Sequence, residues 1–254
     1  MREFTGNPAA HARIFLGRHN PYPNRPDRAL ASDRIRSQRM KVLVIDVGGT
    51  HVKLQSTGHR AVVKIPSGPH MTPKQMVRMV QNAVDGWEYD AISIGYPGPV
   101  VRGQPQREPK NLGRGWVGFN FHNAFGRPVK IINDAAMQAL GSYRGGRMLF
   151  LGLGTGLGSA LIVDGVLAPL ELAHLPYRKG RTYEEYVGKA GLERLGKKKW
   201  RRYVNDVTKR LSAALEADYV VLGGGNAKLL GDLPRGVRLG TNRHAFIGGY
   251  RLWR

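Results

Sequence analysis

Met40-Lys41-Val42-Leu43-Val44-Ile45-Asp46-Val47-Gly48-Gly49-Thr50 is the stretch from which the rest of the chain can be read. Residues 41–45 form a β-branched and aliphatic run, the pattern of a strand covered on both faces. The run stops on an acid and two glycines. Residues 51–55 and 60–65 follow at hairpin distances, so the opening predicts a three-stranded meander. Thr72-Pro73 then offers an N-cap and a proline at the first helical position. Met76, Val77, Val80, Ala83, Val84 and Trp87 continue at helical spacing, and Asp85-Gly86 closes that helix. A strand is expected over 90–95. Residues 102–125 form a polar, Gly-rich insertion too long for a simple connection, a kind of segment that usually carries function. A strand over 129–133 runs into a short helix over 135–143.

The opening pattern then returns. Strands are expected over 148–152 and 158–163, and Asp164-Gly165 turns the chain into Val166-Leu167. Helices over 183–195 and 200–216 follow, then a strand over 219–222, a Gly-rich turn and a short helix from Ala227. Each half reads strand, strand, strand, helix, strand, helix. This internal repeat predicts two α/β lobes, 40–145 and 146–254, with a substrate cleft between them. Residues 1–39 differ: they hold eight Arg, no Lys and three acids, are rich in Pro and Asn, and lack an apolar period. They read as a flexible basic arm, or as sequence ahead of a true start at Met40.

At 254 residues and 28.1 kDa, the chain is long enough to bury roughly 70–75% of its unfolded surface. It has no cysteine, which excludes disulfides, thiolate zinc sites and cysteine nucleophiles. No apolar run approaches the ~18–20 residues of a membrane span, so a cytoplasmic location without membrane contact is expected. The formal net charge is +22 and the sequence pI near 10.8, a balance that speaks to polyanionic partners rather than to fold. Within 178–210, twelve Lys or Arg stand against four acids. Such a run is usually a solvated helix face, but it also suits a polyanion track, whether nucleic acid or a phosphate polymer.

Several constellations carry chemistry. In Asp46-Val47-Gly48-Gly49-Thr50, two glycines let backbone N–H groups approach an anion, Thr50 adds a hydroxyl, and Asp46 could orient a metal-bound water or phosphate. A plain Gly-Gly hairpin turn has the same look. Gly152-Leu153-Gly154-Thr155-Gly156-Leu157-Gly158 occupies the equivalent turn of the second half. It lacks the dinucleotide-binding spacing and the Gly-Lys-Ser/Thr of a P-loop, which leaves a second anion-cradling hairpin facing the first. Asn133-Asp134 stands where a strand meets a helix; both residue types are common N-caps, and an Asp there could equally be a general base. Glu171 and His174 pair an acceptor with a switchable donor, as a sugar's vicinal hydroxyls require. Asn111 could reach substrate from the insertion. Glu185 reads as half of a capping box with Thr182. Gly223-Gly224-Gly225-Asn226 follows a buried strand; tight strand–helix packing needs one or two of those glycines, but not three.

Taken in order, these residues resemble the sugar kinases of the ROK family, within the actin-like ATPase/hexokinase superfamily, over about 40–254. The turn Asp46–Thr50 is similar to the family's first phosphate motif, Asn133-Asp134 to its catalytic pair, and Gly154-Thr155-Gly156 to its second phosphate motif. Glu171 and His174 resemble its sugar-binding Glu-x-Gly-His, with Ala173 in place of the Gly. Gly223–Gly225 resemble its adenosine motif. The cysteine-rich zinc site of many members is absent. Residues 176–184 and 246–253 look instead like the zinc-free branch that includes polyphosphate glucokinases. The resemblance implies two ribonuclease-H-like lobes and phosphorylation of the 6-hydroxyl of glucose or another hexose, with Asp134 as base. Asn111, Asn133, Glu171 and His174 would bind the sugar. Asp46, Gly48, Gly49, Thr50, Lys53, Gly154, Thr155, Gly156, Gly223, Gly224, Gly225 and Asn226 would face the donor. It further implies Mg²⁺ held indirectly by Asp46, ATP or inorganic polyphosphate as donor, no zinc, and a homodimer. A nucleic-acid-binding regulator is the disfavoured alternative, because residues 1–39 are too proline-rich for a helix-turn-helix.

Overall fold

The computed structural model describes residues 40–254. The expected basic arm, 1–39, lies outside the described residues. Ten strands build two five-stranded sheets. The first contains β1 (Val42–Val47), β2 (His51–Ser56), β3 (His59–Pro66), β4 (Ala91–Tyr96) and β5 (Val129–Asn133). The second contains β6 (Arg147–Leu153), β7 (Leu157–Val163), β8 (Val166–Leu170), β9 (Tyr219–Gly223) and β10 (Val237–Leu239). Their spatial orders match: β3-β2-β1-β4-β5 and β8-β7-β6-β9-β10. In each sheet the first three strands form an antiparallel meander and the other two join in parallel. The repeat read from the sequence is therefore a repeat of topology. Small hairpins at 100–105 and 176–182 stand outside both sheets.

The helices are α1 (Pro73–Ala83), α2 (Phe121–Phe125), α3 (Asp134–Ser142), α4 (Tyr183–Val187), α5 (Lys189–Ala214) and α6 (Arg243–Arg251). Helix α1 starts as its sequence dictates: Thr72 caps it, Gln75 returns the bond in a capping box, and Pro73 opens the first turn. It presses Met76, Val77 and Val80 onto the apolar side of the first sheet. Helices α4 and α5 cover the second sheet, with Trp200 fully buried and its indole N–H donated to the Val187 carbonyl at 2.8 Å. Gly188 separates these two helices, and Gly196, at φ +70°, kinks α5. The chain thus breaks at two glycines rather than at the single gap expected over 196–199.

Three other departures have physical causes. The insertion is less polar than its composition suggests, because Trp116 and Phe121 enter the first core and Glu108 accepts the Trp116 and Val117 N–H groups. The helix expected from Ala227 is a single 3-10 turn, Ala227–Leu229. Strand β10 and helix α6 are additions that no local pattern announces.

Helix α6 is the element that joins the layers. It crosses α3 so closely that a Cβ on Gly141 would overlap the His244 carbonyl, and one on Gly248 would overlap the Met137 carbonyl. Gly249 lies close on the Val44 side chain of β1, which a Cβ there would overlap. Ser93 of β4 donates to the Gly249 carbonyl at 2.6 Å and accepts the Trp253 indole N–H at 2.9 Å. Arg251 Nη1 donates to the carbonyls of Leu140, Gly141 and Tyr143, closing the groups that a helix end leaves open and setting a cation at the negative end of α3. Among the described residues no helix is long and apolar enough to cross a membrane.

Adding a methyl group inside a packed site costs about 1–3 kcal/mol where side chains can yield, and here the neighbours are backbone. Gly248→Ala should lower Tm by at least about 2–4 °C, the shift that 1 kcal/mol produces in a chain of this size. Gly68→Ala, whose Cβ would meet open space, should leave Tm unchanged in the same melting experiment. Equal melting of both variants would refute the close crossing.

Candidate active site

Asp46 and Lys53 are set by register. They are direct partners across β1 and β2, and Lys53 Nζ lies 3.0 Å from Asp46 Oδ2 with the carboxylate buried. Beyond Asp46 the chain turns through Gly48, Gly49 and exposed Thr50. Ser67 pins the turn, donating its hydroxyl to the Gly48 carbonyl at 2.6 Å and its N–H to the Thr50 carbonyl at 3.0 Å. A Cβ on Gly49 would lie 2.8 Å from the Cβ of Asn111. The glycine is therefore what lets the insertion bring Asn111 against this turn.

Asp134 is the first residue of α3 and sits where both sheets meet that helix. Its Cα lies over Gly95 of β4, and the Ala135 methyl would be 2.6 Å from a Cβ on Gly158 of β7. Asp134 Oδ1 accepts the Ala135 N–H at 2.8 Å. Burial first, and then the Asp46 charge, push its carboxyl up from 3.8 to about 7, against the smaller opposing effects of that N–H and of Lys53. Asn133 caps α3 by accepting the Ala136 N–H at 3.1 Å and donates one amide proton to the Gly98 carbonyl at 3.1 Å. The N-cap role is real, and the second amide proton has no partner among the described residues.

The second glycine turn and the third glycine motif are stitched together. Asn226 Nδ2 donates to the Gly154 carbonyl at 3.0 Å, its N–H to the Leu153 carbonyl at 2.9 Å, and the Lys189 N–H to the carbonyls of Gly154 and Thr155. Gly223 lies on the Phe150 ring, and Gly224, at φ +84°, presses on the Leu153 backbone. Packing explains those two. Gly225 faces open space with no left-handed conformation to account for it, so it is the glycine of the three that packing leaves unexplained.

Glu171 precedes and His174 ends a 3-10 turn, Leu172–His174, and both residues are exposed. The turn is anchored by the buried Ala173 methyl and by the Leu172 N–H on Ser159 Oγ at 3.2 Å. Glu185 does form the capping box with Thr182, which holds its carboxyl below the usual range. Its neighbour Glu184 was not singled out by the sequence. Glu184 accepts the Leu157 N–H at 3.2 Å, and its carboxylate fills the space beside Gly156. The signal was the doubled acid in Tyr183-Glu184-Glu185: one glutamate serves the cap and the other is free to reach the turn. Among the described residues no group of three or more His, Asp or Glu side chains is arranged to hold a metal ion.

The raised Asp134 carboxyl fixes a sign. The folded chain binds more protons than the unfolded one between pH 3.8 and about 7, so this group subtracts stability as pH rises through that window and most fully above it. Asp134→Asn, which keeps the acceptor for Ala135, should melt above the parent at pH 8 and show no such gain at pH 4. A variant that melts lower at both would show that the carboxylate is not penalised by its surroundings.

A polyphosphate glucokinase from Mycobacterium tuberculosis is 29% identical over 205 residues, 71% of this chain and 76% of that protein. The crystal structure of an inorganic polyphosphate/ATP-glucomannokinase from Arthrobacter sp. strain KM superimposes with a TM-score of 0.71 at 23% identity, over 84% of this chain and 98% of that one. A ROK family glucokinase from Streptomyces griseus, solved with glucose and AMPPNP, gives 0.67 at 16% identity, over 84% and 98%. At such identities these structures speak to the fold, and they bear out the two-sheet, actin-like α/β expectation. The family model described as "ROK family" matches residues 42–169, from β1 and the first glycine turn through Asp134 and the second glycine turn into β8. That span is half of the chain, and the chain belongs to the ROK family.

Proposed function

We propose that this chain is a sugar kinase that transfers a phosphoryl group from inorganic polyphosphate, ATP or both to the 6-hydroxyl of glucose. The observation that carries the reading is Asp134, a carboxyl with a pKa of about 7 at the junction of both sheets and beside Asp46. A base is most effective when its pKa lies near the working pH, and phosphoryl transfer asks mainly for positioning and electrostatics. Asp134 takes the proton of the attacking hydroxyl. Asn111, Asn133, Glu171 and His174 orient the sugar through its hydroxyls. Gly48, Gly49, Thr50 and Lys53 on one side, with Gly154, Thr155 and Gly156 on the other, hold the donor's phosphates. Gly223, Gly224, Gly225 and Asn226 receive the nucleoside when ATP is the donor. Closing the lobes 40–145 and 146–254 excludes water that would otherwise be phosphorylated.

Mg²⁺ fits this site through Asp46. Lys53 engages Oδ2, and a single carboxylate beside donor phosphates is the ligand set Mg²⁺ uses when it keeps several waters. Bound there, the ion would supply neutralisation of the phosphate charge. A cytoplasmic homodimer without zinc completes the reading. The similarity to a glucomannokinase supports mannose as a second acceptor.

The test is glucose 6-phosphate formation by the purified chain with Mg²⁺, with ATP and long-chain polyphosphate assayed in parallel. Turnover with at least one donor is expected, and silence with both, on glucose and on mannose, would refute the kinase. Losing a positioned base costs about 10²–10⁴-fold in rate, so Asp134→Ala should fall by that much or more while melting as a folded protein. The parent's kcat/KM should rise with pH through about 7, and Asp134→Asn should lose that limb.

A further inference from the structure

The charge that phosphoryl transfer itself does not use is concentrated on one helix. Residues 197–214 of α5 hold seven Lys or Arg and a single acid, Asp206. That acid is already engaged by the Tyr177 hydroxyl, by Arg210 at 2.9 Å and by Arg178 at 3.4 Å. Trp200, Val204, Val207, Thr208 and Leu211 form the buried face. Lys197, Lys198, Lys199, Arg202 and Lys209 are exposed, and among the described residues none of them makes an ion pair. Helical spacing sets Lys197 beside Arg201 and Lys198 beside Arg202. Like charges so placed destabilise a helix by about 0.2–0.5 kcal/mol per pair, a cost that an anion outside the helix would offset.

The place of this surface is as informative as its charge. Helix α5 begins at the second glycine turn, where the Lys189 N–H meets the Gly154 and Thr155 carbonyls. The opposite side of that turn is held by Asn226, which leads into the 3-10 turn carrying exposed Lys228. Arg201 ties α5 to that 3-10 turn through Nε on the Leu229 carbonyl at 2.7 Å. Cations therefore lie on both elements that lead away from the donor turn, Lys228 on the 3-10 turn and the exposed lysines and arginines of α5. From Lys198 to Lys209 alone they extend roughly 16 Å along the helix axis, beyond what the three phosphates of a nucleotide need.

We propose that Lys228, Arg201, Lys197, Lys198, Arg202 and Lys209 form a track for the body of a linear inorganic polyphosphate whose end lies at the second glycine turn. The proposal rests on the phosphoryl-transfer reading above. The ligand is a phosphate polymer rather than a nucleic acid because single-stranded nucleic acids are gripped by exposed aromatic platforms as well as cations. Here Trp200 is buried and Tyr203 packs edge-on against Tyr177 and Tyr186, which leaves cations alone on the outer face.

The experiment measures binding of long-chain polyphosphate, tripolyphosphate and a single-stranded RNA to the whole chain over a series of salt concentrations. One variant combines Lys198→Gln, Arg202→Gln and Lys228→Gln. A second, of equal charge change, combines Arg60→Gln, Lys64→Gln and Arg78→Gln, all exposed on β3 and α1. Each neutralised phosphate contact contributes about 0.7 to the salt slope of a flexible polyanion, so the track variant should bind long-chain polyphosphate about 10-fold or more weakly, with a slope shallower by about 2. Its preference for the long chain over tripolyphosphate should shrink accordingly, and the second variant should match the parent. Equal weakening in both variants, or none in either, overturns the track in favour of the overall field of a basic protein. RNA that binds the parent more tightly than polyphosphate and is lost in the track variant overturns it in favour of nucleic acid. Because binding is read without turnover, a chain that phosphorylates no sugar sinks the kinase reading separately from the track.

Discussion

The approach of α3 to α6 at Gly141 and Gly248 governs where the working groups can sit. Two helices normally keep 8–10 Å between axes because side chains intervene, and here bare backbone meets bare backbone. That economy of space lets α6 lie on β1 and β4 of the first sheet while α3 packs against β7 and β6 of the second. Arg251, Ser93 and Trp253 then fasten the chain's last turn to both helices and sheet. With its C-terminal end held by Arg251, α3 has its N-terminal end fixed as well, and that end carries Asp134.

Three charged groups then share a confined space. Asp46 comes from β1, Lys53 from β2 and Asp134 from α3, and they answer to different constraints. Cross-strand register alone pairs Asp46 with Lys53. Asp134 has no cation of its own and so responds chiefly to burial and to the negative charge of Asp46. In the proposed function these two carboxylates divide the labour, Asp46 facing a cation and Asp134 exchanging a proton.

The glycine motifs do unequal work. Gly49 admits Asn111, Gly158 admits the start of α3, and Gly223 and Gly224 admit Phe150 and the Leu153 backbone. These are close approaches within the protein, and a side chain would exclude them. Gly225 has open space around it, which is what a motif that receives a ligand needs. The glutamates at 184 and 185 divide in the same way, one completing a helix cap and the other reaching the second glycine turn.

Much of this was legible in the residues alone. The buried strands announced themselves because a strand covered on both faces must be apolar throughout, and the matching glycine turns gave the repeat because each joins the first two strands of a three-stranded meander. Thr72-Pro73 and Thr182–Glu185 fixed helix starts by local hydrogen bonding, which needs no tertiary partner. Helix α6 was not legible. Its Ile247-Gly248-Gly249 core reads as a poor helix former, since glycine costs about 1 kcal/mol in a helix interior, and only the crossing with α3 makes that cost worthwhile. Asp134 could be named as a base, but its raised pKa could not, because burial and the nearness of Asp46 exist only once two distant strands and a helix meet. Sequence determined which segments fold and where the glycines must be; tertiary structure decided which charges face one another, because that depends on packing distances no local pattern encodes.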